Sequence, residues 1–291
     1  MKVVTFVYEG ETRLGALRAS PRGERVVDLN RLDPRLPADM LGFLEAGQEA
    51  RDLAAQALTA APPAQGLNLA AVTLRAPIPR PGKILCIGQN YLEHAAEANA
   101  GASPHPIIFS KFANSVIGPG EPIVIPPETN APDYEGELAV VIGQRARRVP
   151  ESLALDYAAG YMPFHDVSAR DWQQRTSQWL MGKAFDTFAP MGPALVTADE
   201  IPNVQNLTLR TVIGNEVLQE ANTSLMIFSV AYLIAYITQV MTLEPGDVIA
   251  TGTPAGIGAA RKPPRWLRHG DRVRIEIETV GVLENPVIVQ Q

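Results

Sequence analysis

Glu135 and Glu137 stand two apart at the head of an apolar run, "PDYEGELAVVIG" from Pro132 to Gly143. Residues two apart in a strand share a face, so the two carboxylates would project side by side and repel. Either the strand edge is wet and Arg145, Arg147 or Arg148 answers the pair, or a cation sits between the two. A hard divalent ion prefers octahedral oxygen coordination and calls for a further donor. Asp166 is the candidate, placed at the rim of a core where the apolar part of "GYMPFHDVSARD" turns polar. Three carboxylates exceed the charge of such an ion, which suits a site that also collects a lysine. Lys183 fits that need, since it follows a glycine inside the apolar "WLMGKAFDTFAPMGP". A buried lysine requires an anion beside it; the competing reading is a side chain that snorkels to the surface.

Acid–base chemistry has one local candidate. In "GQNYLEHAAEAN", His94 and Glu97 are three apart and share a face if the segment is helical. A carboxylate that orients an imidazole can share the work of a general base near neutral pH, and the alternative is an ordinary exposed helix contact. His105, His165 and His269 have no comparable partner nearby, and His165 should point away from Asp166 in an extended segment. "GDVIATGTPAGIG" is glycine-dense but is neither GxGxxG after a strand nor a P-loop, so nucleotide binding is unsupported. Its backbone N–H groups near Thr251 to Thr253 could hold a carboxylate. There is no GxSxG elbow, and Cys86 lies in an apolar strand, which argues against covalent hydrolase chemistry.

These groups need a framework. Of 291 residues, 46% are hydrophobic and 19% charged, the composition of a globular enzyme or binding protein. The net charge of −6 speaks against a broad basic surface for nucleic acid. A single cysteine cannot form an internal disulfide, and no signal peptide opens the chain, so the expected home is the cytoplasm. The apolar "SLMIFSVAYLIAYITQVM" carries Ser, Thr, Gln and two Tyr and lacks basic flanks, which makes it a buried core helix rather than a membrane span. Its expected range is Ser224 to Met241, capped at Asn222 to Ser224. Other helices are expected around Tyr91 to Ala100 and from Leu153 to Tyr157 with its continuation.

Residues 1–75 read as a small N-terminal α+β domain. Three strands, "KVVTFVY", "RLGALRA" and "RVVDL", lead into the helical "ADMLGFLEAGQEARDLAAQALTAA", which ends before Pro62 and Pro63. The proline-rich "APIPRPGK" then marks a linker, with the boundary near residues 70–80. Residues 76–291 read as a strand-rich mixed α/β domain that ends in two strands joined at Gly281.

In order, "ILCIGQNYLEHAAE", "DYEGELAVVIG", "FHDVSARD", "GKAFDTFAPMGP" and "LEPGDVIATGTPAGIG" resemble the fumarylacetoacetate hydrolase family over about residues 83–291. "RTSQWLMGKAFDTFAPMGPALVT" and "RKPPRWLRHGD" look most like the branch of fumarylacetoacetate hydrolase domain-containing proteins and their bacterial relatives. The resemblance implies a mixed β-roll behind a small N-terminal domain, and a homodimer. It also implies Mg²⁺, with Mn²⁺ or Ca²⁺ as alternatives, on Glu135, Glu137 and Asp166. His94 and Glu97 become a water-activating pair on a lid, Lys183 the active-site lysine, and Gln89, Tyr91 and Thr253 substrate contacts. Many acylpyruvate-cleaving relatives have arginine in "GRNY" where this chain has Gln89, and glutamine lacks the fork of donors that clamps a carboxylate.

The expected reaction is hydrolysis of a C–C bond in an acylpyruvate-like 2,4-dioxo acid, with the enolate stabilised by the metal and Lys183. Three other reactions suit the same site and need no water attack: oxaloacetate decarboxylation, keto–enol tautomerisation, and isomerisation of the 5-carboxymethyl-2-hydroxymuconate type. A non-catalytic metal- or ligand-binding protein is the alternative of another class. It would need the carboxylates but neither a base nor an oxyanion partner.

Overall fold

Alternating apolar residues build an antiparallel meander at the N-terminus, β1 (Lys2–Tyr8), β2 (Glu11–Arg18) and β3 (Arg25–Asp28). The computed structural model describes residues 1–20, 23–62, 64–97, 101 and 103–290. Part of the turn at "SPRGE", Pro63, and the last residues of the helix expected to reach Ala100 lie outside the described residues. The single helical stretch expected after β3 is two helices, α1 (Met40–Glu45) and α2 (Gly47–Ala60), because Ala46 closes the first and opens the second.

Beyond the proline-rich segment come β4 (Ile84–Gly88), α3 (Leu92–Glu97), β5 (Ile107–Lys111), β6 (Ile123–Ile125), β7 (Gly136–Ile142) and β8 (Ala158–His165). Two single-turn helices follow, α4 (Arg170–Gln173) and α5 (Leu180–Lys183), then β9 (Leu195–Thr197), β10 (Thr208–Ile213) and β11 (Glu216–Asn222). The chain ends with α6 (Val230–Val240), β12 (Val248–Ala250), β13 (Arg272–Ile277) and β14 (Gly281–Val289).

Among the described residues the main sheet has eleven strands, in the order Leu67–Asn68, β3, β2, β1, β9, β8, β7, β12, β4, β5, with Thr73–Leu74 paired to β1. A second sheet of five strands, β11-β10-β13-β14-β6, packs over β7 and β8. β7 is therefore buried on both faces. Leu138, Val140 and Ile142 join Leu209, Ile275 and Leu283 in one core, while Ala139 and Val141 join Met162, Phe164 and residues of the N-terminal meander in the other. Burial on both faces explains why the run after Glu137 is continuously apolar instead of alternating.

Two helix expectations are corrected. Leu153–Tyr157 belongs to a 3₁₀ segment, Glu151–Tyr157, and its continuation is not helical but strand β8. The helix expected from Ser224 starts six residues later. The Asn222 side chain caps only a 3₁₀ turn, Thr223–Leu225, and the chain then extends so that Ile227 and Phe228 donate to Asn90. Ser229 supplies the actual cap of α6 by accepting from Tyr232 N–H. Among the described residues no helix is long and apolar enough to cross a membrane.

Candidate active site and metal centre

β7 and β8 pair antiparallel, with Gly136 opposite His165 and Glu137 opposite Phe164. One residue beyond the pairing, Asp166 N–H donates to Glu135 O at 2.9 Å, which gathers three carboxylates at one end of the hairpin. One oxygen from each of Glu135, Glu137 and Asp166 lies within 4.8 Å of the others, and all three residues are buried. Asp166 is fully enclosed, not at a rim. Gly136, between the glutamates, lies tight against the second sheet. A Cβ there would sit 2.1 Å from Thr211 Oγ1 and 3.0 Å from Ile275 Cδ1.

Cations surround the carboxylates. Lys183, only 1% exposed, donates to Glu135 Oε2 (2.7 Å) and Asp166 Oδ2 (2.8 Å), so it does not snorkel. Lys111 donates to Asp166 Oδ1 (2.6 Å) and Val167 O (2.9 Å), and Arg170 donates to Glu135 Oε1 (2.6 Å) and Asp133 Oδ2 (2.8 Å). Two of the arginines first considered for the glutamates go elsewhere: Arg145 pairs with Glu244, and Arg147 donates to the carbonyls of Thr238 and Gln239.

Sequence reasoning passed over Lys111, Arg170 and Asp133. Lys111 carried a signal, since it closes the apolar "IIFSK" much as Lys183 interrupts its own apolar stretch. Arg170 carried none.

Four buried carboxylates, Asp133 included, face three buried cations, which leaves one negative charge without an answer. The imbalance falls on Glu137. Burial, then the charges of Asp166 and Glu135, push its pKa well above the ordinary carboxylate range, and the N–H of Gly252 (2.8 Å) offsets this only in part. Glu135 goes the other way: burial would raise it, but Arg170 and Lys183 overcome that and hold it below its usual value. A buried oxygen donor set with one uncompensated carboxylate fits a hard divalent cation, which would join Glu135, Glu137 and Asp166.

The opposite wall is built by α3. His94 Nδ1 lies 3.5 Å from Glu97 Oε2, and His94 is only 7% exposed, so this is no surface helix contact. Both oxygens of Glu97 accept from Gly256 N–H, at 2.9 and 3.0 Å. A cavity of about 500 Å³ joins the two walls and is lined by Gln89, His94, Glu97, Glu135, Glu137, Lys183 and Thr253. The Thr253 hydroxyl donates to Gly136 O (3.0 Å) and accepts from Gln219 (2.8 Å). Tyr91 is not among the lining residues. It is buried, its hydroxyl has no hydrogen-bond partner among the described residues, and burial followed by the charge of Glu137 raises its pKa.

The glycine-dense loop holds carboxylates of the protein itself: Glu137 on Gly252 and Glu97 on Gly256. His165 is buried without a partner for Nε2 among the described residues, and burial together with Lys111 pushes its pKa down to about 3, so it stays neutral. His105 stacks on Tyr236, and His269 accepts from Val289 N–H, each away from the cavity.

Comparison with known proteins identifies the family. The family described as Fumarylacetoacetate (FAA) hydrolase C-terminal matches residues 83–288. The chain belongs to the fumarylacetoacetate hydrolase family. Within it, the chain is 47% identical over 267 residues to "Oxaloacetate tautomerase Fahd2a, mitochondrial" of Rattus norvegicus, which covers 91% of this chain and 85% of that protein. Its likeness to the human "Oxaloacetate tautomerase FAHD2A, mitochondrial" is the same 47%, over 268 residues, 91% of this chain and 85% of that one. Among solved structures, a maleylpyruvate hydrolase from Sphingobium sp. SYK-6, in complex with manganese(II) ion and pyruvate, superposes with a TM-score of 0.82 at 31% identity, with 100% of both chains covered. A 5-carboxymethyl-2-hydroxymuconate delta-isomerase from Mycobacterium smegmatis gives 0.79 at 32%, again with 100% of both chains covered. The family's enzymes thus include tautomerases, isomerases and hydrolases on one strand-rich fold.

Proposed function

We propose that the chain is a divalent-metal-dependent tautomerase of short 2-oxo dicarboxylic acids, with oxaloacetate as the substrate to test first. One observation carries the reading: the 47% identity to oxaloacetate tautomerases extends over 91% of the chain. This places tautomerisation ahead of the C–C bond hydrolysis expected from the sequence.

A divalent cation held by Glu135, Glu137 and Asp166 would supply Lewis-acid polarisation of the substrate's 2-oxo group. The protein's own groups do the rest. Keto–enol exchange moves one proton between C3 and the 2-oxo oxygen, and it needs no second substrate and no attacking water. His94 is the group set to take or return the C3 proton, and Glu97, held by Gly256 and 3.5 Å from His94 Nδ1, is placed to orient the imidazole once the two close to hydrogen-bond distance. Lys183 puts a fixed positive charge beside the oxygen on which negative charge develops. Gln89 supplies a neutral amide to the cavity wall in place of a cationic clamp.

Hydrolysis of an acylpyruvate-like acid is the second reading, favoured by the likeness to a maleylpyruvate hydrolase bound to pyruvate. Products separate the two. With Mg²⁺ or Mn²⁺, the protein should speed the decay of enol absorbance of oxaloacetate without releasing a second acid, and EDTA should abolish the effect. Two acids from fumarylpyruvate or an acylpyruvate, with oxaloacetate untouched, would establish hydrolysis instead. Activity that survives EDTA would sink the metal requirement.

The homodimer expected from the resemblance belongs to this reading, and the mass in solution by light scattering tests it. The tautomerases cited above are named as mitochondrial, whereas the expectation from the sequence is the cytoplasm. Both compartments keep a buried thiol such as Cys86 reduced.

A further inference from the structure

Asp133 is completely buried and does not line the cavity. Its carboxylate nevertheless accepts four hydrogen bonds, from the N–H groups of Tyr134 (2.8 Å), Gly258 (2.7 Å) and Ala259 (3.0 Å) and from Arg170 Nε (2.8 Å). Two parts of the site meet on those oxygens. On one side Arg170 passes from Asp133 to Glu135, where its Nη2 donates to Oε1 at 2.6 Å. On the other, Gly258 and Ala259 belong to the loop whose Gly256 N–H engages Glu97.

Tyr134, the neighbouring residue, adds a tie to the same loop through its hydroxyl, which donates to Gly256 O at 3.0 Å. The approach is too close for any residue but glycine at 258. A Cβ there would fall 2.5 Å from Asp133 Oδ1 and 2.1 Å from Arg265 O. Burying a carboxylate is expensive unless it is fully hydrogen-bonded, and a bond from a guanidinium is among the stronger ones available. A buried anion spanning two functional segments is thus anchored too firmly to let either one move by itself.

We propose that Asp133 is a positioning residue that couples the two walls of the site. It orients Glu135 through Arg170 and fixes Glu97, and with it His94, through the loop at residues 256–259. The proposal rests on the reading of the cavity as a divalent-metal site with an acid–base pair, and two readouts that need no turnover test it. Mn²⁺ affinity is measured by titration of the free ion's spin-resonance signal. Amide hydrogen exchange of residues 256–259 is measured in the metal-free protein.

Asp133→Asn keeps the shape but turns one acceptor oxygen into a donor. It should raise the Kd for Mn²⁺ by about tenfold or more, the usual scale for a partner behind a metal ligand, and should speed exchange across the loop. Arg170→Lys should weaken Mn²⁺ binding to a similar degree while loop exchange stays at the wild-type rate. That split is what a purely packing role would not produce.

A folded Asp133→Asn protein with Mn²⁺ affinity within twofold of wild type, or with unchanged loop exchange, overturns the coupling. If Asp133→Asn does not fold, unchanged Mn²⁺ affinity in Arg170→Lys overturns it. Wild-type protein that binds Mn²⁺ but does not turn over oxaloacetate would count against the proposed reaction alone. Failure of the wild type to bind Mn²⁺ would count against both.

Discussion

At the scale of single residues, Glu137 bears the charge that the buried cluster leaves unanswered. Asp166 has two lysines and Glu135 an arginine and a lysine, whereas Glu137 Oε2 rests on one backbone N–H. Such a group serves a ligand at the expense of the fold. Glu137→Gln should therefore raise the Mn²⁺ Kd by more than about 100-fold, beyond the usual cost of losing a partner behind a ligand, and remove turnover. In EDTA, however, its Tm should match or exceed that of the wild type, because the amide keeps the shape and relieves repulsion from Asp166 and Glu135. Titration and calorimetry check the two halves, and a clearly lower Tm in EDTA would mean that Glu137 is better paired than its geometry indicates. The carboxylates were legible because strand alternation relates residues two apart. Their cationic partners were not: Lys111 meets Asp166 across 55 residues of sequence, and Arg170 meets Glu135 across 35.

At the scale of elements, the strands and the long apolar stretches could be read from pattern, while the one-turn helices could not. α4 and α5 have four residues each, too few to express a 3.6-residue period, yet they deliver Arg170 and Lys183 to the site. Strand β8 allows a direct test of the core around them. Tyr161 lies within it at 3% exposure, and burial raises its phenol pKa to about 12. The folded protein thus keeps the phenol neutral up to about pH 12, whereas the unfolded chain loses that proton from about pH 10. Below pH 10 the group costs nothing; between pH 10 and 12 the unfolded state is favoured by its ionisation, and stability falls. Wild type should lose about 1.4 kcal/mol from this source at pH 11, and Tyr161→Phe should escape that loss while matching wild type near pH 7. Urea unfolding at the two pH values checks the difference, and equal losses in both proteins would place the alkaline sensitivity elsewhere.

At the scale of the whole molecule, residues 1–75 form a recognisable meander and helix pair, but their strands continue the main sheet. Lys2 and Val3 of β1 pair with Val196 and Leu195 of β9, and Val3, Leu14 and Phe43 pack in one core with Met162, Phe164 and Val248. The expected boundary near residue 75 thus crosses a shared core. The full chain should unfold in one calorimetric transition, and a fragment of residues 76–291 should lose cooperative unfolding and aggregate through the edge of β9 and the uncovered apolar face. Two separate transitions in the full chain would restore an independent N-terminal domain.

Taken alone, the sequence determined the carboxylate pair, the His94–Glu97 spacing, the lysine in its apolar setting and, through five ordered motifs, the family. Each of these is a local pattern, carried within a dozen or so residues. Tertiary structure decided which charges neutralise which. It also decided that the amides of Gly252 and Gly256 hold Glu137 and Glu97, across 115 and 159 residues of sequence, and that the N-terminal segment shares a core with the rest. Those outcomes depend on sheet pairing between distant strands, for which no local spacing carries a signal.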